Sequence, residues 1–380
     1  MIKINKAADC CGCTACASIC THDAISMEPD TLGFLYPKID VNKCVNCGLC
    51  EKVCQFNDDY DHSDNFPEPI AFAVRHKDIN EVMKSRSGAA FVAISDYILD
   101  QGGVVYGAGY KDHFRVVHKR ATTREERDEF RGSKYVQSDL TDVFQQVKED
   151  LRNGLLVLFS GTPCQTSGIK AYIGNKLREN LYLVDIVCHG VPSPYIWNDY
   201  LLNIENDNKE KIVDVNFRNK TLYGWKDHKE TYKLESGKLV ISTQFTDLFY
   251  KHIIFRHSCG VCHFANLIRP SDITLADFWG YENNIPDMNV DDKGISLVLL
   301  NTEKGKDIFK AVSCKFDEKK VNIKDCLQPN LQHASLVHSR RMKLEKDYVK
   351  KGFLYVLSYD YDKVSLLRSV FRKIKRRFIR

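Results

Sequence analysis

No stretch of this chain stays apolar long enough to cross a bilayer: the longest runs, such as Leu155–Phe159 and Ile295–Leu300, break within about six residues, against the ~20 that a spanning helix needs. They read instead as buried strands. Net charge is scarce too, at +5 over 380 residues; so mild an excess implies no nucleic-acid partner. Met1–Asp9 lacks the apolar core of a secretory signal, so a cytoplasmic protein is expected. Cysteine is the opposite of scarce. Fifteen of them, clustered at short spacings in a reducing compartment, point to metal ligands rather than disulfides. The length suits a small module followed by one or two larger α/β lobes, and 43% hydrophobic residues can build their cores.

Cys10, Cys13, Cys16 and Cys20 follow the spacing C-x2-C-x2-C-x3-C, and Cys44, Cys47, Cys50 and Cys54 repeat it. This is a doubled ferredoxin-type motif for two 4Fe-4S clusters. The two-residue gaps let the backbone curl round a cubane, with Gly12 and Gly48 offering relaxed dihedrals. In such motifs the fourth cysteine serves the other cluster, which groups Cys10, Cys13, Cys16 and Cys54 in one set and Cys20, Cys44, Cys47 and Cys50 in the second. The usual proline after each fourth cysteine is replaced by Thr21 and Gln55. Cys11 is an extra thiol, either a small buried hydrophobe beside the cluster or an alternative ligand. A pair of zinc sites is the competing reading, although zinc prefers two separated C-x2-C pairs. Residues 1–57 thus form the module, and the acidic, polar stretch 58–69, with Pro67 and Pro69, reads as a linker.

Beyond it, apolar strands (Ile70–Val74, Val104–Tyr106, Leu155–Phe159, Leu181–Val187) alternate with amphipathic helices (Ala89–Leu99, Thr141–Leu151, Tyr195–Ile204). The expected fold class is α+β, a ferredoxin-like module followed by a mixed α/β lobe, divided as segments 70–150 and 151–330 and a helical basic tail over 331–380. Loops between strand ends and helix starts are the natural sites in such a sheet. Ser85-Arg86-Ser87-Gly88-Ala89 has the hydroxyls, cation and glycine of a phosphate cradle, or of a capped surface helix. Cys164, after the strand Leu155–Phe159, should sit at a helix N-terminus where a thiolate is stabilised. Cys188 follows the next strand, and Cys259 and Cys262 add a C-x2-C pair. Together these four could ligate a third 4Fe-4S cluster; ordinary buried thiols, or a redox-active C-x2-C pair, are the alternatives. Asp272–Gly280 reads as a strand running into an aromatic turn suited to a flat ring-shaped cofactor or to a core cluster, and Gly132–Ser138 is a polar loop whose Lys134 could stabilise a reduced flavin ring. His113, His118, His257 and His263 are conceivable proton donors, but none is assigned; the catalytic residues stay unknown.

In order along the chain, the doubled motif, Ser85–Gly88, Gly132–Ser138, Gly161–Gln165, Cys188-His189-Gly190, the pair at Cys259 and Asp272–Gly280 resemble the coenzyme F420-reducing hydrogenase beta subunit family. That family also includes formate dehydrogenase beta subunits and the plant 7-hydroxymethyl chlorophyll a reductase. The resemblance implies FAD, with Ser87, Gly88, Lys134, Tyr135, Gln137 and Ser138 as flavin-binding residues. Two positions depart from the family pattern: Ala89 and Ala276 stand where glycine is usual. Phe217–Lys220 with Gly224–Lys226 looks like a bacterial branch often encoded beside polysaccharide genes. The implied activity is an iron–sulfur flavoprotein oxidoreductase acting on a small molecule or glycan intermediate, fed by a donor such as ferredoxin or a redox partner subunit; a non-catalytic electron-transfer subunit is the alternative. Finally, Leu367, Val370, Phe371, Ile374 and Phe378 recur at helical spacing among seven Arg and Lys. Such a basic amphipathic helix suits either peripheral contact with the inner face of the cell membrane or docking on the body.

Overall fold

The computed structural model describes residues 1–56 and 60–363. Its strands are β1 (Ile25–Pro29), β2 (Leu35–Ile39), β3 (Asn65–His76), β4 (Val104–Lys111), β5 (Arg115–Ala121), β6 (Val157–Gly161), β7 (Leu181–Ile186), β8 (Ile212–Asn216), β9 (Glu230–Leu234), β10 (Leu239–Ser242), β11 (Ile273–Asp277), β12 (Ser296–Thr302) and β13 (Phe316–Val321). The β1–β2 hairpin belongs to the N-terminal module. Eight strands form one sheet in the order β13-β3-β12-β11-β7-β6-β4-β5. Its centre, β4, β6, β7 and β11, is parallel, and antiparallel neighbours flank it on both sides. Apolar runs without alternation, as in β6 and β12, are what a sheet covered on both faces requires.

The anticipated strands and helices recur close to their expected bounds, but their grouping differs. Both β3 and the β4–β5 pair come from 70–150, yet strands from 151–330 separate them in the same sheet. Strands of the two segments therefore share one sheet, through backbone pairing that no local pattern reveals. The expected linker 58–69 is shorter than anticipated: β3 already begins at Asn65, with Thr302 as its cross-strand partner. The described part of the expected helical tail, 331–363, packs on the body. Helices Arg341–Lys351 and Phe353–Ser358 lay Leu344, Phe353 and Val356 into a second core with Trp197, Tyr200, Phe217, Tyr232 and Phe245, over the small sheet β10-β9-β8. The basic amphipathic stretch after residue 363 lies outside the described residues. Among the described residues, no helix is long and apolar enough to cross a membrane.

Candidate functional site

Each copy of the cysteine motif needs two left-handed residues to wrap its loop. Glycine supplies only one of them in each copy: Gly12 (φ +71) pairs with Thr14 (φ 66), and Asn46 (φ 55) pairs with Gly48 (φ +78). Short helices, Ala15–Ser18 and Leu49–Lys52, then carry Cys16 and Cys50 inward. Cys20, Cys44, Cys47 and Cys50 line one hollow, the grouping expected for the second set. Burial drives the Cys16 thiol well above its ordinary pKa, and its neighbours Cys13, Cys10 and Cys54 add to the effect, the grouping expected for the first. Backbone amides already point at sulfur: Ile2 N–H donates to Cys50 Sγ at 3.3 Å, Gly12 N–H to Cys10 Sγ at 3.4 Å and Ala24 N–H to Cys20 Sγ at 3.4 Å. Donors aimed at sulfur and thiols ringing a common hollow fit a cubane held by thiolates. Among the described residues, no three His, Cys, Asp or Glu side chains close on the smaller volume of a single ion.

Cys164, Cys188, Cys259 and Cys262 also converge. Thr162 caps the helix Pro163–Ile173 in a reciprocal box with Gln165, which puts Cys164 in its first turn, as expected. Cys188 lies just past β7, and Cys259 rides a short turn of helix at His257–Val261. Burial and then Cys259, Cys164 and Cys262 push the Cys188 thiol upward; burial lifts Cys259 to about 12 and Cys262 to about 11. What holds the last pair in position is Arg269. Its guanidinium, 1% exposed, donates to Asp185 Oδ1 on β7 at 2.9 Å, to Ile186 O at 3.0 Å and to Phe264 O at 2.7 Å. Breaking such a buried pair costs about 3–5 kcal/mol.

Two residues join the first thiol set to this one. The buried Cys11 thiol neighbours both Cys13 and Cys164, and their interaction raises its own pKa and lowers that of Cys164 to about 7. It is neither an inert hydrophobe nor isolated. Arg256, fully buried, donates to Cys10 O at 2.8 Å, Leu35 O at 2.9 Å, Gln137 Oε1 at 2.9 Å and Cys10 Sγ at 3.6 Å, and lies over Tyr36 at 4.1 Å. Sequence reasoning missed it, because nothing local distinguishes this arginine from its neighbours.

The six residues carried over for flavin binding each have their own contacts in the fold. Gly88 packs against the sheet, where an added Cβ would come within 2.3 Å of Val74 O, and Ser87 Oγ donates to Ile295 O at 2.5 Å. Gln137 Nε2 donates to Cys11 O at 2.9 Å, and Ser138 sits between His118 and Gln165. Lys134 is half-buried beside Tyr110 and lowered by desolvation to about 8. Tyr135 has contacts in a ring cluster: its ring meets Phe217 and Phe249, and its hydroxyl accepts from Arg218 at 3.5 Å. That cluster continues through Tyr250 and His228 to Trp279, which stacks on Trp225 at 4.6 Å. On its other side, Phe249 meets His189, the residue after Cys188. Arg86 and Arg218 border the rings, each with a buried Nε that has no partner. Orphaned donors beside flat rings fit the polar part of an aromatic cofactor. Ala89, at φ 65 before the helix Ala90–Asp100, occupies a backbone position that favours the glycine of the family pattern.

Residues 155–324 match the family model for the C terminus of the coenzyme F420 hydrogenase/dehydrogenase beta subunit, and residues 9–57 match the 4Fe-4S dicluster domain. Among solved structures, a chain from the F420-reducing NiFe hydrogenase complex of Methanosarcina barkeri is similar at 18% identity, over 76% of this chain and 92% of that one, with a TM-score of 0.47. No curated protein matches. The chain thus joins a 4Fe-4S dicluster domain to a segment similar to the C terminus of the F420 hydrogenase/dehydrogenase beta subunit, a combination that suggests electron transfer.

Proposed function

We propose that the protein is an iron–sulfur flavoprotein oxidoreductase, with FAD in the lobe and three 4Fe-4S clusters. Cys10, Cys13, Cys16 and Cys54 hold the inner cluster of the module, and Cys20, Cys44, Cys47 and Cys50 hold the outer one. Cys164, Cys188, Cys259 and Cys262 hold the third. The observation that carries this reading is the contact of module and lobe at the thiols: Cys11 neighbours one thiol of the inner set and one of the third, Arg256 reaches Cys10, and His189 continues from Cys188 into the ring cluster. A flavin can exchange single electrons with a cluster and pairs with an organic molecule. Around it, this chain contributes Tyr135 and Trp279 as flat walls, the Arg86 and Arg218 donors, and a packed aromatic layer.

The donor is a ferredoxin or a redox partner subunit, and the substrate is a small molecule or a glycan intermediate, handled in the cytoplasm at the inner face of the cell membrane. Anaerobic purification with metal and flavin analysis tests the reading. It expects FAD at one per chain and about twelve irons, four per cluster. Iron without flavin leaves only a non-catalytic electron-transfer subunit; zinc in place of iron removes both.

A further inference from the structure

Positive charge is concentrated where β8, β11 and the Ser85–Ala89 loop meet, and the protein does not balance it. Arg218 donates through Nη1 to Asp277 Oδ2 at 2.6 Å and through Nη2 to Trp225 O at 3.1 Å. Arg86 donates to Arg218 O at 3.2 Å and to Trp225 O. Lys220 Nζ meets carbonyls alone, those of Val82, Ser87 and Lys293. Asp277 is the carboxylate that acts on all three cations, and its other oxygen already accepts from Trp225 Nε1 at 2.9 Å. Nearby Asp291 is taken by Arg75, and Asp292 Oδ2 by the Trp225 amide. Two buried cations, Arg218 and Lys220, and the half-buried Arg86 sharing one carboxylate is a costly arrangement in a folded protein, because an unpaired ion loses hydration without return. Two of the groups respond accordingly: desolvation and then Arg218 lower Arg86 to about 10, and desolvation and then Arg86 lower Lys220 to about 7; at Arg218 desolvation is outweighed by Tyr135 and Asp277, which raise it. The Nε atoms of both arginines are buried and unpartnered. The region is not sealed, since Arg86, Tyr135, Asp277 and Trp279 are only half-buried and Tyr250 is exposed.

We propose that Arg86 and Arg218, backed by Lys220, form a binding site for a phosphate or diphosphate group whose ligand lays a ring or sugar against Trp279 and Tyr135. A diphosphate suits a cationic site, and its spread oxygens suit guanidinium forks better than a single carboxylate does. The group has two sources: the diphosphate of a bound flavin, which rests on the reading above, or a phosphorylated substrate, which does not.

Calorimetric titration with inorganic pyrophosphate decides, using anaerobic holoprotein and the same protein stripped of flavin. Wild type is compared with Arg86→Gln, Arg218→Gln and the charge-keeping Arg86→Lys, each checked for unchanged iron content. The expected result is saturable binding to wild type that weakens roughly 10–100-fold in both Gln variants and less in Arg86→Lys. Binding to holoprotein identifies a substrate phosphate; binding only after flavin removal identifies the cofactor's own. Should Arg218→Gln fail to fold, the two Arg86 variants carry the test. Affinities within twofold of wild type in every variant, or no saturable binding in either form, overturn the site. Protein that purifies without flavin defeats the cofactor reading and leaves this titration fully informative.

Discussion

The two copies of the cysteine motif share their spacing and their pair of left-handed residues, yet they stand in opposite surroundings. The inner copy is enclosed by the lobe: Arg256 reaches Cys10, Cys11 bridges Cys13 to Cys164, and an added Cβ on Gly168 of the lobe would lie 2.9 Å from Cys13 Sγ. The outer copy faces solvent, with Cys47 exposed and Val41, Val45 and Leu49 at 69%, 59% and 38% exposure around it. Equal ligands in unequal environments acquire unequal potentials, because donors to sulfur and burial both tune a cluster. The inner copy is built to communicate with the lobe. The outer copy is built to be reached from outside.

The sharpest way to break this contrast is Arg256→Gln. The substitution strips buried donors from Cys10 O and Leu35 O and a cation from beside Cys10 Sγ. Stability should fall by about 2–4 kcal/mol, read from urea unfolding. Losing a charged donor to sulfur disfavours the reduced cluster. The inner midpoint should therefore drop by roughly 60–120 mV in an EPR-monitored titration, about 59 mV for each 1.4 kcal/mol in a one-electron couple, while the outer midpoint stays fixed. Equal shifts in both clusters would mean that the guanidinium acts through the fold and not on the inner set.

A paired glycine test sharpens the same contrast at lower cost. Both Gly12 and Gly48 have positive φ, so alanine strains either by about 1–2 kcal/mol. Around Gly48 nothing lies within 4 Å, and the penalty should end there. At Gly12 the new Cβ would meet Arg256 Nη1 and Gln137 Nε2, each at 2.9 Å, so Gly12→Ala should cost about 1–3 kcal/mol more and disturb the inner cluster's spectrum alone. Indistinguishable unfolding midpoints for the two variants would argue against lobe contact at the inner loop.

The same division runs through what the sequence could disclose. The eight thiols of the doubled motif announce two clusters by their spacing, and Cys20, Cys44, Cys47 and Cys50 line one hollow while Cys54 lies near Cys16. Strands and helices of the lobe were legible from apolar runs and periodicity. The convergence of Cys164, Cys188, Cys259 and Cys262 was legible only as residue types at strand ends; the Arg269–Asp185 pair that secures it spans 84 positions and has no local signature. The flavin residues transferred by resemblance were the least legible. A Ser-Gly pair that fits a family pattern can serve sheet packing, as Gly88 does against Val74, while Arg86 and Arg218 lay in plain view as an unremarkable cation in each loop.

Cys11 separates ligand from neighbour most finely, and the effect expected is the smallest. Its thiol lies between Cys13 and Cys164 without belonging to either proposed set. Cys11→Ala removes one donor shared by two sulfurs and leaves a void the size of a single atom, worth about 1 kcal/mol of stability. Iron content should hold, since all proposed ligands remain. The inner midpoint should fall by less than in Arg256→Gln, because a neutral thiol donates more weakly than a guanidinium. Cys11→Ser, which keeps an O–H, should recover most of that fall. Loss of four irons in the alanine variant would instead make Cys11 a ligand, and the grouping of the inner set would have to be redrawn around it.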